Sequence, residues 1–166
     1  MIILVFGLPG TGKSSFSKRL KGETRAHYLS TDIVRDKLNK KGNYDEISKQ
    51  FVYDRLAEVA KTELSKGRDV IVDGTFHKYE RRQMFIKIAK ATGHELFLIE
   101  IKASGQTVKK RLEKKRKYSD ADYEIYKKIK KEFDHEPRNH LVLWSDQENP
   151  GEMISKAMVY ITQTAH

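Results

Sequence analysis

Ile2-Ile3-Leu4-Val5-Phe6-Gly7-Leu8-Pro9-Gly10-Thr11-Gly12-Lys13-Ser14 follows the first methionine, and its reading governs that of the whole chain. Five consecutive apolar, β-prone residues without alternation predict a strand buried on both faces, as in a parallel sheet. Residues 7–14 then satisfy G-x-x-x-x-G-K-[ST] in full, between that strand and a helix predicted to begin near Lys13 and end by Gly22. Gly7, Gly10 and Gly12 let successive backbone N–H groups turn inward around phosphate oxygens with no Cβ in the way. Pro9, Thr11 and Ser15 complete the loop and the first helical turn, whose N-terminus adds partial positive charge. Lys13 is placed to neutralise β- and γ-phosphates and the Ser14 hydroxyl to ligate Mg²⁺, so ATP and Mg²⁺ are the expected cofactors.

Outward from this stretch, short apolar runs alternate with helical spacing. Strands are predicted at residues 28–30, at 70–72 ending in Asp73, at 96–101 and at 141–144. A short helix is expected from Asp32. A longer one carries Ile47, Phe51, Val52, Leu56, Val59, Ala60 and Leu64 at helical spacing and closes at Gly67. Another places Phe85, Ile88 and Ala89 on one side and stops at Gly93, and a last helix starts near Pro150. Two basic helices, 107–117 and 120–133, form a candidate lid over residues 104–133. The alternation implies an α/β three-layer sandwich, a five-stranded parallel sheet with helices on both faces. Ligands of such sheets sit at the carboxyl ends of the strands.

A length of 166 residues without a repeat or linker suits one domain, residues 1–166. No apolar run approaches the roughly 18 residues that a membrane span needs, and Met1 to Phe6 lacks the basic lead of a secretion signal. No membrane partner and a cytoplasmic location are therefore expected. The absence of cysteine excludes disulfides, thiolate metal sites and thiol catalysis. The formal charge is +10, and residues 102–131, with 12 basic and 4 acidic side chains, carry +8 of it. Such a stretch suits a polyanion partner, nucleotide phosphates or nucleic acid; a solvated lysine-rich surface is the plain alternative.

Phosphoryl transfer to an alcohol needs a group to orient the acceptor and take its proton. Asp32, in Ser30-Thr31-Asp32-Ile33-Val34-Arg35, closes the second strand and can do this; it can also cap the following helix. Arg35, one turn on, can point the same way. Asp73 ends an apolar strand in the manner of a Walker B carboxylate, able to hold Mg²⁺ through water or to clamp Arg35. With Gly74-Thr75 behind it, it also reads as a turn residue. In the basic helices Arg111 and Arg116 are candidates to close over the γ-phosphate. His77 and His94 lack metal-ligand spacing and read as structural or surface residues. Tyr118, Tyr123 and Tyr126 at helical spacing suit half-buried packing more than base stacking. A guanine reader would be N-K-x-D, and the chain has Asn39-Lys40-Lys41-Gly42 instead, which favours ATP over GTP.

Taken together, GLPGTGKS, STDIVR, VIVDGT, the basic stretch leading into SDADYEIY, and Glu136-Pro137 resemble P-loop kinases of the polynucleotide kinase type, within the broader group of small AAA-like predicted kinases. The resemblance spans most of the chain. It implies Asp32 as general base, Arg35 on the acceptor-side phosphate and basic lid residues on the ATP phosphates. Phe76 stands where the group often has Asn. Arg111 and Arg116 are five apart where the group's lid arginines are often four apart, which puts Lys115 at the usual place. The expected activity is transfer of the γ-phosphate of ATP to a hydroxyl, first a polynucleotide 5′-hydroxyl on single-stranded nucleic acid. A small metabolite, a nucleoside or seryl-tRNA is the alternative acceptor, and an ATP-dependent regulator without kinase activity the alternative class.

Overall fold

The central strand accounts for the architecture. β1 (Ile2–Phe6) is buried along its whole length because it is flanked on both edges and covered on both faces. The computed structural model describes residues 1–39, 44–115 and 120–164. After β1 come α1 (Lys13–Thr24), β2 (His27–Ser30), α2 (Thr31–Lys37), α3 (Glu46–Ser65), β3 (Val70–Asp73), α4 (Tyr79–Thr92), β4 (Leu96–Lys102), α5 (Gly105–Glu113), α6 (Asp120–Glu132), β5 (Leu141–Trp144) and α7 (Pro150–Thr164). The five strands are all parallel in the order β2-β3-β1-β4-β5, with Ile2 opposite both Val70 and Leu96. The expected parallel sheet with helices on both faces is therefore observed.

Strand alternation divides the core. Ile2, Leu4, Phe6, Val70 and Val72 pack beneath α3 and α4. Ile3, Val5, Ile71 and Ile99 pack beneath α1 and α7. Burying a branched side chain on either face contributes about 1.5–3 kcal/mol, which is why these strands read as unbroken apolar runs. No described helix is long and apolar enough to cross a membrane.

Several local expectations are corrected. α1 continues past Gly22 to Thr24 and is closed by Arg25 in the left-handed region, since Gly22 sits on an open face where nothing forces a stop. α2 begins at Thr31, and its cap is Ser30, whose hydroxyl accepts from the Ile33 N–H. Asp32 is thus not the cap, because the cap position is already filled two residues earlier. On α3, Ile47 and Phe51 stand 72% and 56% exposed. The buried seam instead runs through Val52, Tyr53, Leu56, Ala57, Ala60 and Leu64. α5 ends at Glu113, short of residue 117.

One buried ionic cluster joins separate parts of the chain. Arg82 of α4 is fully buried; its Nε donates to Glu136 Oε2 at 2.9 Å. Its Nη1 donates to the Phe76 carbonyl at 2.7 Å and its Nη2 to the carbonyls of Asp134 and His135 at 2.7 and 3.1 Å. The guanidinium also lies 5.0 Å over the Phe6 ring, at the end of β1. Nε, Nη1 and Nη2 are all engaged in a dry setting, where a lone charge would be costly. Arg82→Met is expected to lower unfolding free energy by about 3–5 kcal/mol, because it removes the buried partner of Glu136 Oε2 and leaves that carboxylate only the Arg138 contacts at Oε1. In urea denaturation, Arg82→Met/Glu136→Leu should lose less than the sum of the two single changes.

Candidate active site

The phosphate cradle forms where β1 turns into α1. Gly7, at φ +149°, passes so close to β4 that a Cβ would lie 2.3 Å from the Ile101 carbonyl oxygen. Gly12, at φ +96°, starts α1 with no side-chain cap, which leaves the first-turn N–H groups open to an anion. Within the loop, the Thr11 hydroxyl and Lys13 Nζ each donate to the Leu8 carbonyl at 2.8 Å. Leu8, Pro9 and Gly10 are half-buried around the mouth. Ser145, at the end of β5, braces the loop from outside: its Oγ donates to the Thr11 carbonyl at 2.6 Å and accepts from Arg111 Nη1 at 2.9 Å. Arg111 Nη1 also reaches the Gly10 carbonyl, at 3.2 Å.

Burial lowers the Lys13 pKa to about 8. Asp73 and Asp32 push it back up, and Lys115 pushes it further down. The influence of Lys115 fits its place in a hollow of about 410 Å³ beside the cradle. This hollow is lined by Ser15, Phe16, Arg19, Arg111, Lys115 and Pro150 among others. Sequence reasoning points to Arg111 and Ser15 in this region but not to Arg19 or Ser145. Arg19 lies one turn beyond Ser15 on the same helix face, a signal available in the sequence; Ser145 carries no such signal. Arg116 falls outside the described residues, as does Tyr118.

Asp73 is the last residue of β3 and is 3% exposed. Its Oδ2 accepts from Ser14 Oγ at 3.0 Å and from the Tyr28 hydroxyl at 2.6 Å. The register explains the meeting. Ser30 is paired with Asp73 and Tyr28 with Ile71, so Tyr28 and Asp73 share the face that packs on α1, where Ser14 occupies the first turn. Burial pushes the Asp73 carboxyl up, while Tyr28, Lys13 and Ser14 draw it back towards the anion. Burial and the Asp73 carboxylate both push the Tyr28 phenol up, so it stays a donor. Tyr28 is not among the residues the sequence singles out, since a tyrosine on an edge strand has no motif.

Among the described residues Arg35 meets Asp32 of its own helix and Tyr44 beyond it, not Asp73. Its Nη1 lies 3.7 Å from Asp32 and its guanidinium 4.6 Å over the Tyr44 ring. Arg35 is 7% exposed and its Nε has no partner among the described residues, whereas the Asp32 side chain is 81% exposed. A carboxylate open to solvent is thereby joined to a buried cation at the carboxyl end of β2.

A second hollow, of about 460 Å³, is lined by Glu46, Lys49, Tyr53, His77, Arg81 and Asp134 among others. His77 is therefore part of a concave wall rather than plain surface, while His94 keeps its Nδ1 buried and unpartnered. Tyr53 adjoins both regions: burial raises its phenol pKa, and the charges of Arg81, Arg35 and Asp32 all act on it. Phe76 adopts φ +46° and turns its ring inward, 5.1 Å from Tyr53 and 5.6 Å from Phe85. The contact often made by Asn at this position thus has no side-chain equivalent here. Tyr123 and Tyr126 stack on each other at 5.7 Å, in keeping with packing.

The parallel sheet, the glycine-rich cradle and the Ser14–Asp73 hydrogen bond define a P-loop nucleotide-binding protein of kinase architecture. The chain belongs to the AAA domain family, whose model matches residues 2–135. It is 29% identical over 141 residues to the L-seryl-tRNA(Sec) kinase of Methanococcus maripaludis, a match covering 81% of this chain and 52% of that protein. The chain thus spans about half the length of this relative. Among solved structures, a sugar kinase from Janibacter sp. HTCC2649 superposes with a TM-score of 0.77 at 17% identity, covering 97% of this chain and 94% of that one. The Mycobacterium tuberculosis APS kinase CysC, solved with AMPPNP and APS, gives 0.72 at 21% identity, covering 97% and 96%.

Bound phosphates would keep Lys13 protonated, whereas in the free protein it is half neutral near pH 8. Binding therefore takes up a proton above that pH and weakens as pH rises. Between pH 8 and 9.5, calorimetric affinity for an ATP analogue is expected to fall by about fifteenfold in all. Lys13→Gln should bind at least tenfold more weakly at pH 7 and lose this dependence.

Proposed function

We propose that the protein transfers the γ-phosphate of ATP to a hydroxyl carried by a nucleic acid, first a polynucleotide 5′-hydroxyl. The observation that carries this reading is the Asp32–Arg35 pair, an open carboxylate held by a buried cation at the same carboxyl end of the sheet as the cradle. Asp32 accepts the acceptor's hydroxyl proton on a carboxylate oxygen as that hydroxyl oxygen attacks the γ-phosphorus and the bond to the β–γ bridging oxygen breaks. Arg35 holds an anionic group of the acceptor through its guanidinium, which already faces the Asp32 carboxylate. Lys13 and the cradle N–H groups take the charge that develops on the phosphoryl oxygens and on ADP. Arg111, Lys115 and Arg19 line the hollow that receives the rest of the nucleotide.

A hydroxyl and a buried carboxylate are hard oxygen donors, so Ser14 and Asp73 suit Mg²⁺. When bound with ATP, Mg²⁺ would neutralise phosphate charge. Tyr28 keeps the Asp73 carboxylate oriented through its hydrogen bond to Oδ2. Tyr28→Phe is expected to reduce the affinity advantage of Mg²⁺-ATP over metal-free ATP by about tenfold, with metal-free binding little changed.

The seryl hydroxyl of an aminoacylated tRNA is the second reading, favoured by the M. maripaludis relative. Label transfer from γ-labelled ATP to a 5′-hydroxyl oligonucleotide, to seryl-tRNA and to small alcohols separates the acceptors. Transfer to the oligonucleotide, reduced about 10²–10⁴-fold by Asp32→Asn, is the expected result. Transfer to small alcohols alone would overturn the nucleic-acid acceptor. ATP hydrolysis without any acceptor, unaffected by Asp32→Asn, would point to a regulator instead.

A further inference from the structure

The basic surface of α5 and α6 is not used by the chemistry above. Lys109, Lys110 and Lys114 on the α5 side and Lys127, Lys128 and Lys130 on α6 are all exposed. The two helices pack through a small cluster of their own, Val108, Leu112 and Tyr126, with Tyr123 against it. This packing gathers ammonium groups from both helices. Lys109 Nζ lies 5.5 Å and Lys127 Nζ 5.3 Å from the Tyr123 ring centre, and Lys130 Nζ lies 5.9 Å from that of Tyr126. Lys127 is also paired with Glu124 at 2.6 Å.

Elsewhere on the surface, cations of this chain meet carboxylates directly, as in Lys49–Glu46, Arg55–Glu58 and Lys66–Glu63. On α5 and α6, besides the Lys127–Glu124 pair, cations from two helices converge on two stacked aromatic rings. Like charges brought together on a surface repel, and a polyanion relieves that repulsion as it releases its own counterions. On α5 itself Arg111 lines the nucleotide hollow, and Lys115 just beyond the helix does the same, so both basic regions are carried by one segment.

We infer that the face formed by Lys109, Lys127 and Lys130 around Tyr123 and Tyr126 binds the phosphodiester backbone of a single-stranded nucleic acid, without regard to sequence. This rests on the nucleic-acid acceptor reading and adds where the acceptor's chain is held.

The test measures binding without chemistry. A labelled single-stranded oligonucleotide carrying a 5′-phosphate offers no 5′-hydroxyl acceptor, so fluorescence anisotropy reads its binding whether or not the protein transfers phosphate. Three charges are removed in Lys109→Gln/Lys127→Gln/Lys130→Gln. A control removes three exposed charges elsewhere, Lys61→Gln/Lys87→Gln/Lys90→Gln. The first variant is expected to bind at least tenfold more weakly at about 0.1 M salt. The slope of log K against log[salt] should become shallower by about 2, near 0.7 for each phosphate that is no longer neutralised. The control should stay within about twofold of the unaltered protein, and both variants should keep its thermal midpoint. Unchanged affinity and slope in the first variant, or equal losses in the two, would overturn the inference. Binding that persists while oligonucleotide transfer fails would leave this surface standing and remove only the acceptor reading.

Discussion

The close approach of Gly7 to the Ile101 carbonyl organises the rest of the molecule. β1 is enclosed by β3 and β4 and by a core on each face, so it cannot shift sideways or along its axis. At its end the chain must turn within the space left beside β4, where any side chain would meet a backbone oxygen. The turn can therefore be made only by glycine, and it delivers α1 with its first N–H groups uncapped. An anion-binding helix terminus is a consequence of how the central strand ends.

A single buried cation sets the electrostatics of that opening. Lys13 is desolvated enough to approach neutrality near pH 8, and its charge is supported by two carboxylates from different strand ends, Asp73 and Asp32. Asp73 is buried in turn; burial raises its pKa, and Tyr28, Lys13 and Ser14 oppose that rise. Because each group depends on charges and donors contributed by other elements, the site is coherent only when β2, β3 and α1 are in register.

Arg82 extends this dependence to the opposite side of the sheet. It holds the Phe76 carbonyl, and with it a left-handed non-glycine residue, while gripping the segment 134–136 that follows α6. Asp134 also accepts from the Tyr79 N–H at 2.9 Å and so serves the start of α4. The loop after β3 and the exit from α6 thus form one wall around the larger hollow.

Much of this was legible in the residues alone. Unbroken apolar runs such as Ile2–Phe6 identify buried parallel strands, because burial on both faces removes any need for alternation. The cradle from Gly7 to Ser14 is local, so spacing along the chain is spacing in space. For the same reason Asp32 and Arg35, one helical turn apart, could be paired from sequence. Which partners meet across the sheet could not. Tyr28 reaches Asp73 through strand register, Ser145 braces Thr11 across 134 positions, and Arg82 meets Glu136 only after the whole of β4, α5 and α6 has folded between them. The helical face carrying Ile47 and Phe51 looked buried because it was apolar, yet the seam was set by which side of α3 faced the sheet. Sequence determined the elements and the local cradle, since those follow from short-range sterics and periodicity. Only the tertiary structure decided which charges are buried and who holds them, since desolvation and long-range hydrogen bonds exist only once the layers are assembled.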